Sequence, residues 1–549
     1  MNSITAIAPT MSSDPQTLYG FDTRHADHWL LWSYVNANAE RLGAKTAAVH
    51  AGGRSTFASL RTDAEMLAAS LLELGVRPGD VVSHQLPNWG EALVIVLAAL
   101  RIGAVVNPIV PIFRRHEVGF MLRECESRII FVPGVFRGFD HAGMARDLMQ
   151  AGDAPHLKQV VTCRASVPGL LDFDSLMKRG RAATLPPLAR GHDAVDRDAF
   201  LLYTSGTSGN PKGVRHSQRT LLAEAVSLLA VTRLTEKDIG VMASTVGHVT
   251  GAMYSHVLPQ VAGSTVCLME QWTPKEAAEL IAREGCTWMS GATPFLQGLM
   301  VDPDAQRKDM SSFNHFRCGG AQVPPQLIRD AIARGIHAVR CYGATEYPTV
   351  SGISWGDPEK AATTDGQVHE HVEIRIVDLA DESRVLGPGE PGEVLVRGPE
   401  RFLGYRDPRH DRDGLTADGW YRTGDIGFVD AERYLTISGR RKDIIIRKGE
   451  NISAREVEDA LAEHPSIAEV AIIGVPDAER GEMVTAVCVA KPAASAALTL
   501  AGIAQFLEQA GFARQKTPER LEVVEAMPMT AAGKIRKDEL RTRFGNRKT

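Results

Sequence analysis

Between about residues 28 and 355 amphipathic stretches alternate with short apolar runs. HWLLWSYVNANAERLG and FASLRTDAEMLAASLLELG carry apolar residues at helical spacing, whereas VVSHQL, RIIFV and STVCLM read as buried strands. Such alternation builds parallel sheets layered with helices and predicts an α/β fold. From about 356 to 438 the texture changes. HVEIRIVDL, GEVLVRG and RYLTISG are short alternating runs separated by Gly and Pro turns, which predicts a smaller β-rich unit. After Arg440 the chain begins again. Ser453 and Glu456 form a capping box opening the helix SAREVEDALAEH, and the strand-like IAEVAIIGV and VTAVCVA and a second helix near LAGIAQFLEQAG follow. The expected organisation is a large N-terminal domain of layered α/β subdomains over 1–438, its β-rich subdomain at about 356–438. A hinge at 439–442 and a small mobile α+β C-terminal domain over 443–549 follow. The junction GRRKDIII is charged and unpatterned, which suits a hinge better than a core.

Composition narrows the classes. The chain has 549 residues, 44% hydrophobic and 23% charged, enough apolar material for sizeable cores, and neither disorder nor collagen is its main state. Lys and Arg number 61 against 66 Asp and Glu, so the net charge of -5 provides no bulk field for gripping nucleic acid or an anionic membrane. Any anion must be held locally. The seven cysteines, at 125, 163, 267, 286, 318, 341 and 488, are scattered and never form a C-x-x-C pair. That usage fits a reducing compartment and opposes a structural zinc site. The first residues lack a basic segment followed by a long apolar one, so a cytoplasmic location is expected. The longest apolar stretch, Ala92 to Leu100, is too short to span a bilayer and is expected to be a core helix.

The sharpest local signal is Tyr203-Thr204-Ser205-Gly206-Thr207-Ser208-Gly209-Asn210-Pro211-Lys212-Gly213. Hydroxyls and glycines let side-chain O–H and backbone N–H groups converge on phosphate oxygens, and Lys212 adds a mobile positive charge. The loop reads as a polyphosphate cradle. It is not a Walker A motif, because Pro211 stands where the second glycine belongs and Gly213 replaces the magnesium-binding hydroxyl.

With YTSGTSGNPKGV the chain resembles the AMP-forming adenylating enzymes: acyl-CoA synthetases, peptide-synthetase adenylation domains and beetle luciferases. YGATE, GWYRTGD, SGRRKDIIIRKGENISAREVE and PMTAAGKIRK follow in the family's order, over some 330 residues. The resemblance implies that Tyr342 stacks on adenine, with Gly320 and Ala321 near the base edge and the small Gly343 and Ala344 beside it. It implies that Thr345 bonds the α-phosphate and that Glu346 and Thr207 serve Mg2+. Asp425 matches the carboxylate that accepts the ribose hydroxyls, and Arg440 an arginine reaching ribose and phosphates. Trp420 and Tyr421 are expected to pack beneath that turn. Lys442 falls at the family's hinge position, although the run RRK reads equally well as a solvated face. Lys534 matches the catalytic lysine near the C-terminus.

The implied chemistry is ATP-dependent formation of an acyl-adenylate and pyrophosphate, followed by transfer to coenzyme A. Positioning and electrostatics supply most of the acceleration. In the family the C-terminal domain rotates between the half-reactions, so Lys448, Gly449, Glu450 and Asn451 would line a pantetheine tunnel; Gly449 alone reads equally as a turn glycine. Ser244 to Gly251 matches the stretch flanking the acyl site, which carries His248 towards the substrate carboxylate. No acidic residue stands there to pair with a substrate ammonium, which favours an uncharged acyl group. Gly291, Ala292 and Gly343 are expected pocket-lining positions, with Trp288, Phe295 and Tyr347 shortening the cavity for a medium-chain, alicyclic or aromatic acid. The texture of YGATEYPTVS and STVGHVTG is most similar to bacterial synthetases for short or cyclic acids, such as the cyclohexanecarboxylate-CoA ligases. Loading of a carrier-protein phosphopantetheine and luciferase-like oxygenation stay open as alternatives. The expected partners are the acid, ATP and coenzyme A, without nucleic acid or a membrane span, in a monomer or homodimer. The Pro528-x4-Gly533-Lys534 setting resembles one acetylated in bacterial synthetases, which implies a lysine acetyltransferase acting on Lys534.

Overall fold

The structure, a computed structural model, describes residues 17–18, 21–22, 25–180, 184–204, 211–320, 323–353, 356–448, 450–477, 479–491, 498–529 and 534–545. These residues fall into two compact units. One is built from the chain up to Glu373 together with Arg397–Tyr421, the other from Ile374–Val396 and the chain from Arg422 onward.

The first unit contains two large sheets. In one, strands Leu171–Asp172, Gln159–Cys163, Ser127–Pro133, Val81–His84, Val105–Pro108 and Asp198–Thr204 run parallel, and Lys212–Ser217 and Gly404–Tyr405 join antiparallel. Chain order reverses at Val81–His84, because the next strand, Val105–Pro108, lies on one side and the one after, Ser127–Pro133, on the other. In the second sheet His337–Ala344, His315–Gly319, Trp288–Gly291, Ile239–Met242, Thr265–Leu268 and Thr46–His50 are parallel. Antiparallel strands close both edges, Tyr347–Ile353 and Gln367–Val368 at one and Gly53–Thr56 at the other.

The expected helices form as Leu31–Arg41 and Phe57–Glu73. The nine-residue apolar stretch becomes the helix Gly90–Arg101, with every residue from Ala92 to Leu100 buried. One continuous core takes Val82 and Phe200 from the first sheet and Val266 and Trp288 from the second. Complete burial of a side chain of this size contributes about 1.5–3 kcal/mol, which explains why helix Gly90–Arg101 is apolar almost all round while Leu31–Arg41 and Phe57–Glu73 are amphipathic. Helix Gln218–Thr232 touches strands of both sheets; Ser217 caps it by accepting the Thr220 N–H at 3.2 Å while its own N–H donates to the Thr220 hydroxyl.

The β-rich texture read from 356 onward divides in two. Helix Pro358–Thr363 and strand Gln367–Val368 belong to the first unit, and a separate four-stranded sheet follows: Glu373–Val377, Gly392–Arg397, Tyr421–Val429 and Leu435–Arg440. Beyond it, Glu450–Ser453, Ile444–Arg447, Gly481–Ala490 and Ile467–Asp477 make an antiparallel sheet, with Arg520–Val523 added parallel to Gly481–Ala490. Ile467–Asp477 is covered on both faces. Val470 and Ile472 pack with Val457, Leu461 and Ile503; Ala471, Ile473 and Val475 pack with Met527, Leu540 and Phe544. Period-two geometry thus explains its long apolar run.

Two local expectations change. The capping box is half formed: Ser453 Oγ accepts the Glu456 N–H at 3.3 Å and donates to the Ser438 carbonyl at 2.6 Å, but the Glu456 carboxylate accepts from Lys516 at 2.6 Å instead of returning to Ser453. The junction GRRKDIII is also patterned. Arg441–Asp443 is one 3-10 turn between two strands, with Ile445 buried in the C-terminal core and Ile446 turned outward at 55% exposure.

Candidate active site

Strands Asp198–Thr204 and Lys212–Ser217 form a hairpin whose last register pair is Thr204 with Lys212, so the glycine-rich segment leaves and re-enters at one place. Ser205, Gly206, Thr207, Ser208 and Gly209 lie outside the described residues, as do Ala321 and Gly449. The hairpin brings Lys212 and Glu346 together through a residue the sequence reading missed. Tyr405 pairs with Val214 across the edge of the sheet, and the Lys212 ammonium lies 5.3 Å from its ring centroid. The Tyr405 hydroxyl donates to Glu346 Oε1 at 2.8 Å. Burial, then the Glu346 charge, push the Tyr405 phenol well above its ordinary pKa, so it remains a donor.

Glu346 is 8% exposed at the tip of a tight hairpin in which Ala344 pairs with Tyr347. Beneath that tip lies a second unforeseen residue, His216. Its Nε2 donates to the Thr345 carbonyl at 2.7 Å and its Nδ1 faces the Thr220 hydroxyl at 3.0 Å. Burial pushes the His216 imidazole down to about 4, so the ring is neutral; with a donor at Nε2, Nδ1 is the acceptor. Thr345 is therefore presented by a fixed backbone. Tyr342 is half-buried opposite Ser351, where the register shifts between Tyr342 and Ala344. At Gly343 a Cβ would stand 2.0 Å from the Pro348 carbonyl oxygen, so its missing side chain is consumed inside the hairpin. Gly320, at φ +79°, follows the strand His315–Gly319.

The segment carrying His248 is held by a third unforeseen residue. The Asn88 amide donates to the Met242 and Ser244 carbonyls at 3.3 and 2.9 Å and accepts the Val246 N–H at 2.9 Å. Gly247 lets this segment lie against the Ile109–Val110 backbone, because a Cβ there would stand 2.6 Å from the Val110 nitrogen. His248 precedes the short helix Val249–Ala252, and its N–H donates to the Thr245 carbonyl at 3.0 Å. Phe295 lies directly on Gly291 and packs against Trp272 at 4.7 Å. Trp288 and Tyr347 are buried, Trp288 edge-on to Tyr254 at 5.6 Å and Tyr347 in close approach to Gly398. Ala292 caps helix Thr293–Val301. Trp420 and Tyr421 are buried, the first beneath the Arg397 guanidinium and the second against Phe402.

In the second unit Asp425 and Arg440 are direct cross-strand partners, and the Arg440 Nε–H meets Asp425 Oδ1 at 2.8 Å. Asp425 is buried, and its N–H donates to Thr423 Oγ1 at 3.0 Å beside Gly424 at φ +68°. Partial desolvation, then the charge of Arg440, hold the Lys442 ammonium below its ordinary value. Lys448 takes a left-handed φ of +50° just before Gly449, and Glu450 and Asn451 enter the following strand. Lys534 is exposed, next to the Met529–Ile535 bridge that precedes helix Lys537–Gly545. That helix is anchored by Lys537 to Glu458 and by Arg541 to Asp443, each at 2.7 Å.

The donor set fits Mg2+. This hard cation takes oxygen ligands, keeps several waters and is bound through one or two carboxylates plus substrate phosphates. Glu346 could serve as such a carboxylate. Among the described residues no group of three His, Cys, Asp or Glu is placed to cage a metal, so an ion here would arrive largely clothed in phosphate and water.

Comparisons with known proteins agree with one another. The family described as AMP-binding enzyme matches residues 35–406, and the AMP-binding enzyme C-terminal domain matches 456–534. The chain is 35% identical to the medium-chain fatty-acid–CoA ligase of Escherichia coli, covering 96% of this chain and 91% of that one. It is 32% identical to the indoleacetate–CoA ligase of Aromatoleum aromaticum, covering 88% and 92%. Among solved structures, ATP-bound MatB from Rhodopseudomonas palustris superposes with a TM-score of 0.84 at 27% identity, covering 94% of this chain and 99% of that one.

Proposed function

This chain belongs to the AMP-binding enzyme family, and on that premise we propose that its substrate is a carboxylic acid with an uncharged medium-chain, alicyclic or aromatic acyl group. The enzyme is an AMP-forming acid–thiol ligase using ATP, Mg2+ and coenzyme A. A carboxylate oxygen attacks the α-phosphorus of ATP and pyrophosphate leaves. The thiol of coenzyme A then loses its proton and attacks the acyl carbonyl, and AMP leaves with the electron pair of the broken C–O bond. No protein nucleophile takes part.

The observation that carries our residue assignment is the Lys212–Tyr405–Glu346 contact, which unites the base of the glycine-rich loop with the YGATE turn. Thr204 to Gly209 and Lys212 hold the phosphates. The Thr345 hydroxyl bonds the α-phosphate from a backbone fixed by His216, and Tyr342, with Gly343, Ala344, Gly320 and Ala321, receives the adenine. Asp425 accepts from the ribose hydroxyls while Arg440 shares its charge between that carboxylate and the nucleotide. Glu346, with the Thr207 hydroxyl, would hold the Mg2+, which when bound neutralises charge on the phosphates. His248 orients the substrate carboxylate. Lys534 stabilises the two anions as they meet in the first half-reaction. Gly449 passes the pantetheine arm in the second, so Gly449→Leu should impair thioester formation more than adenylation.

The domains read from the sequence, 1–438, the hinge 439–442 and 443–549, are the bodies we assign to the alternation of these steps. We assign the enzyme to the cytoplasm on its dispersed cysteines, with one chain or a homodimer as the active unit. A lysine acetyltransferase modifying Lys534 would switch off the first step by removing its charge. Among the described residues no helix is long and apolar enough to cross a membrane. The test is acid-dependent pyrophosphate release across an acid panel, with and without coenzyme A. Lys534→Ala should lose the release yet still form thioester from supplied acyl-adenylate; release at the wild-type rate would refute the assignment.

A further inference from the structure

Three side chains deep in the first unit carry polar atoms that no hydrogen bond among the described residues satisfies. His84 and His256 are fully buried with Nδ1 and Nε2 of both rings unpartnered, and Gln260, equally buried, leaves both Oε1 and Nε2 unpartnered. The two rings stand 6.5 Å apart and nearly perpendicular, at 86°. Gln260 follows four residues after His256 along the same helical run.

An unsatisfied buried polar group costs about 1–3 kcal/mol, so six such atoms would cost about 6–18 kcal/mol, as much as the whole stability of an ordinary domain. The described residues hold other buried polar atoms without a partner, on Gln85 and Asn107 for instance, but here three side chains leave every polar atom unpartnered, and such a concentration marks a site that hydrogen-bonds something else. Burial pushes both imidazoles down to about 3, so both are neutral and each offers one donor and one acceptor. Such a set suits a neutral oxygen. A buried carboxylate or ammonium would need a countercharge.

The placement is informative. His84 ends the strand at which chain order reverses, and ligands of open α/β sheets bind beyond the carboxyl ends of strands at that point. His256 sits in a π-helical turn, Met253–Val257. Pro259 has no N–H to give the Ser255 carbonyl, which accounts for the irregular turn, and such turns gather at functional sites. The run begins at Val249, directly after His248, which stands eight residues before His256, or about 12 Å at a helical rise of about 1.5 Å per residue. Val82, Met253 and Val257, on the same elements, are apolar core.

We propose that His84, His256 and Gln260 form the distal polar end of the acyl site and receive a ketone or hydroxyl oxygen of the substrate, a medium chain's length from its carboxylate. The inference rests on the assignment of His248 to the carboxylate end. It is tested with matched acids, octanoate against 7-oxooctanoate and decanoate against 9-oxodecanoate, by kcat/KM for pyrophosphate release. Wild type is expected to favour the oxo member of at least one pair by about tenfold or more, and His256→Leu to abolish the preference while the unsubstituted acid is still activated. His256→Gln keeps a donor and an acceptor and should retain part of it, which separates recognition from a folding defect. Equal use of both members by wild type, or a preference that survives in His256→Leu, overturns the distal site alone and leaves ordered water as the partner of these atoms. Absence of acid-dependent release with every acid would overturn the ligase assignment as well.

Discussion

Replacing Tyr405 by Phe removes one oxygen and keeps the ring beneath the Lys212 ammonium. The lost bond is a 2.8 Å donation to Glu346, a carboxylate only 8% exposed. Hydrogen bonds to charged groups contribute about 1.5–3 kcal/mol, and each 1.36 kcal/mol is tenfold in rate, so full expression in the transition state lowers kcat/KM roughly 10- to 150-fold. Because the carboxylate is the assigned Mg2+ ligand, the loss should appear with a raised Mg2+ requirement. The assay is acid-dependent pyrophosphate release at graded Mg2+, with thioester formation from supplied acyl-adenylate measured separately. Tyr405→Leu, which also removes the ring, should be worse. If Tyr405→Phe changes neither the rate by more than about twofold nor the Mg2+ dependence, the bond has no part in positioning Glu346.

Gly343→Ala should destabilise the first unit, because the added Cβ meets the Pro348 carbonyl at 2.0 Å; a cost of at least about 1–3 kcal/mol is expected, read as a lower Tm. Asn88→Ala leaves the Ser244 carbonyl and the Val246 N–H of the His248 segment without this partner, whereas the Met242 carbonyl keeps the Met269 N–H, and the change should raise KM for the acid while KM for ATP is little changed; a parallel rise in both would contradict a local role. Stability should fall below about pH 6.5. The His216 pKa is lowered from 6.5 to about 4, so the unfolded chain binds more protons between those values; the contribution is present above 6.5 and is lost as pH falls towards 4, amounting to about 3 kcal/mol at 1.36 kcal/mol per pKa unit. Denaturant melts of wild type and His216→Gln at pH 7 and pH 5 should show the larger loss in wild type, and equal losses would refute the assignment to His216.

The linear order of residues by itself determined much of this protein. Short apolar runs became strands and the stretch Ala92–Leu100 a buried helix, because burial on one or all sides leaves a local periodicity. Thr345, Glu346 and Lys212 could be singled out as candidates because chemistry concentrates unusual residues in short motifs. Asn88, His216 and Tyr405 carry no such mark: their partners lie 156, 129 and 59 residues away, and only tertiary structure decided that Asn88 holds Ser244, His216 holds Thr345 and Tyr405 holds Glu346. Gly343 reads from sequence as room for substrate, yet the fold spends that room on Pro348. The carboxylate of Glu456, expected to close a capping box, is taken by Lys516, 60 residues distant. A local pattern records which face an element buries; which polar group meets which depends on chain reversals that bring distant segments within 3 Å, and neither periodicity nor motif spacing encodes those.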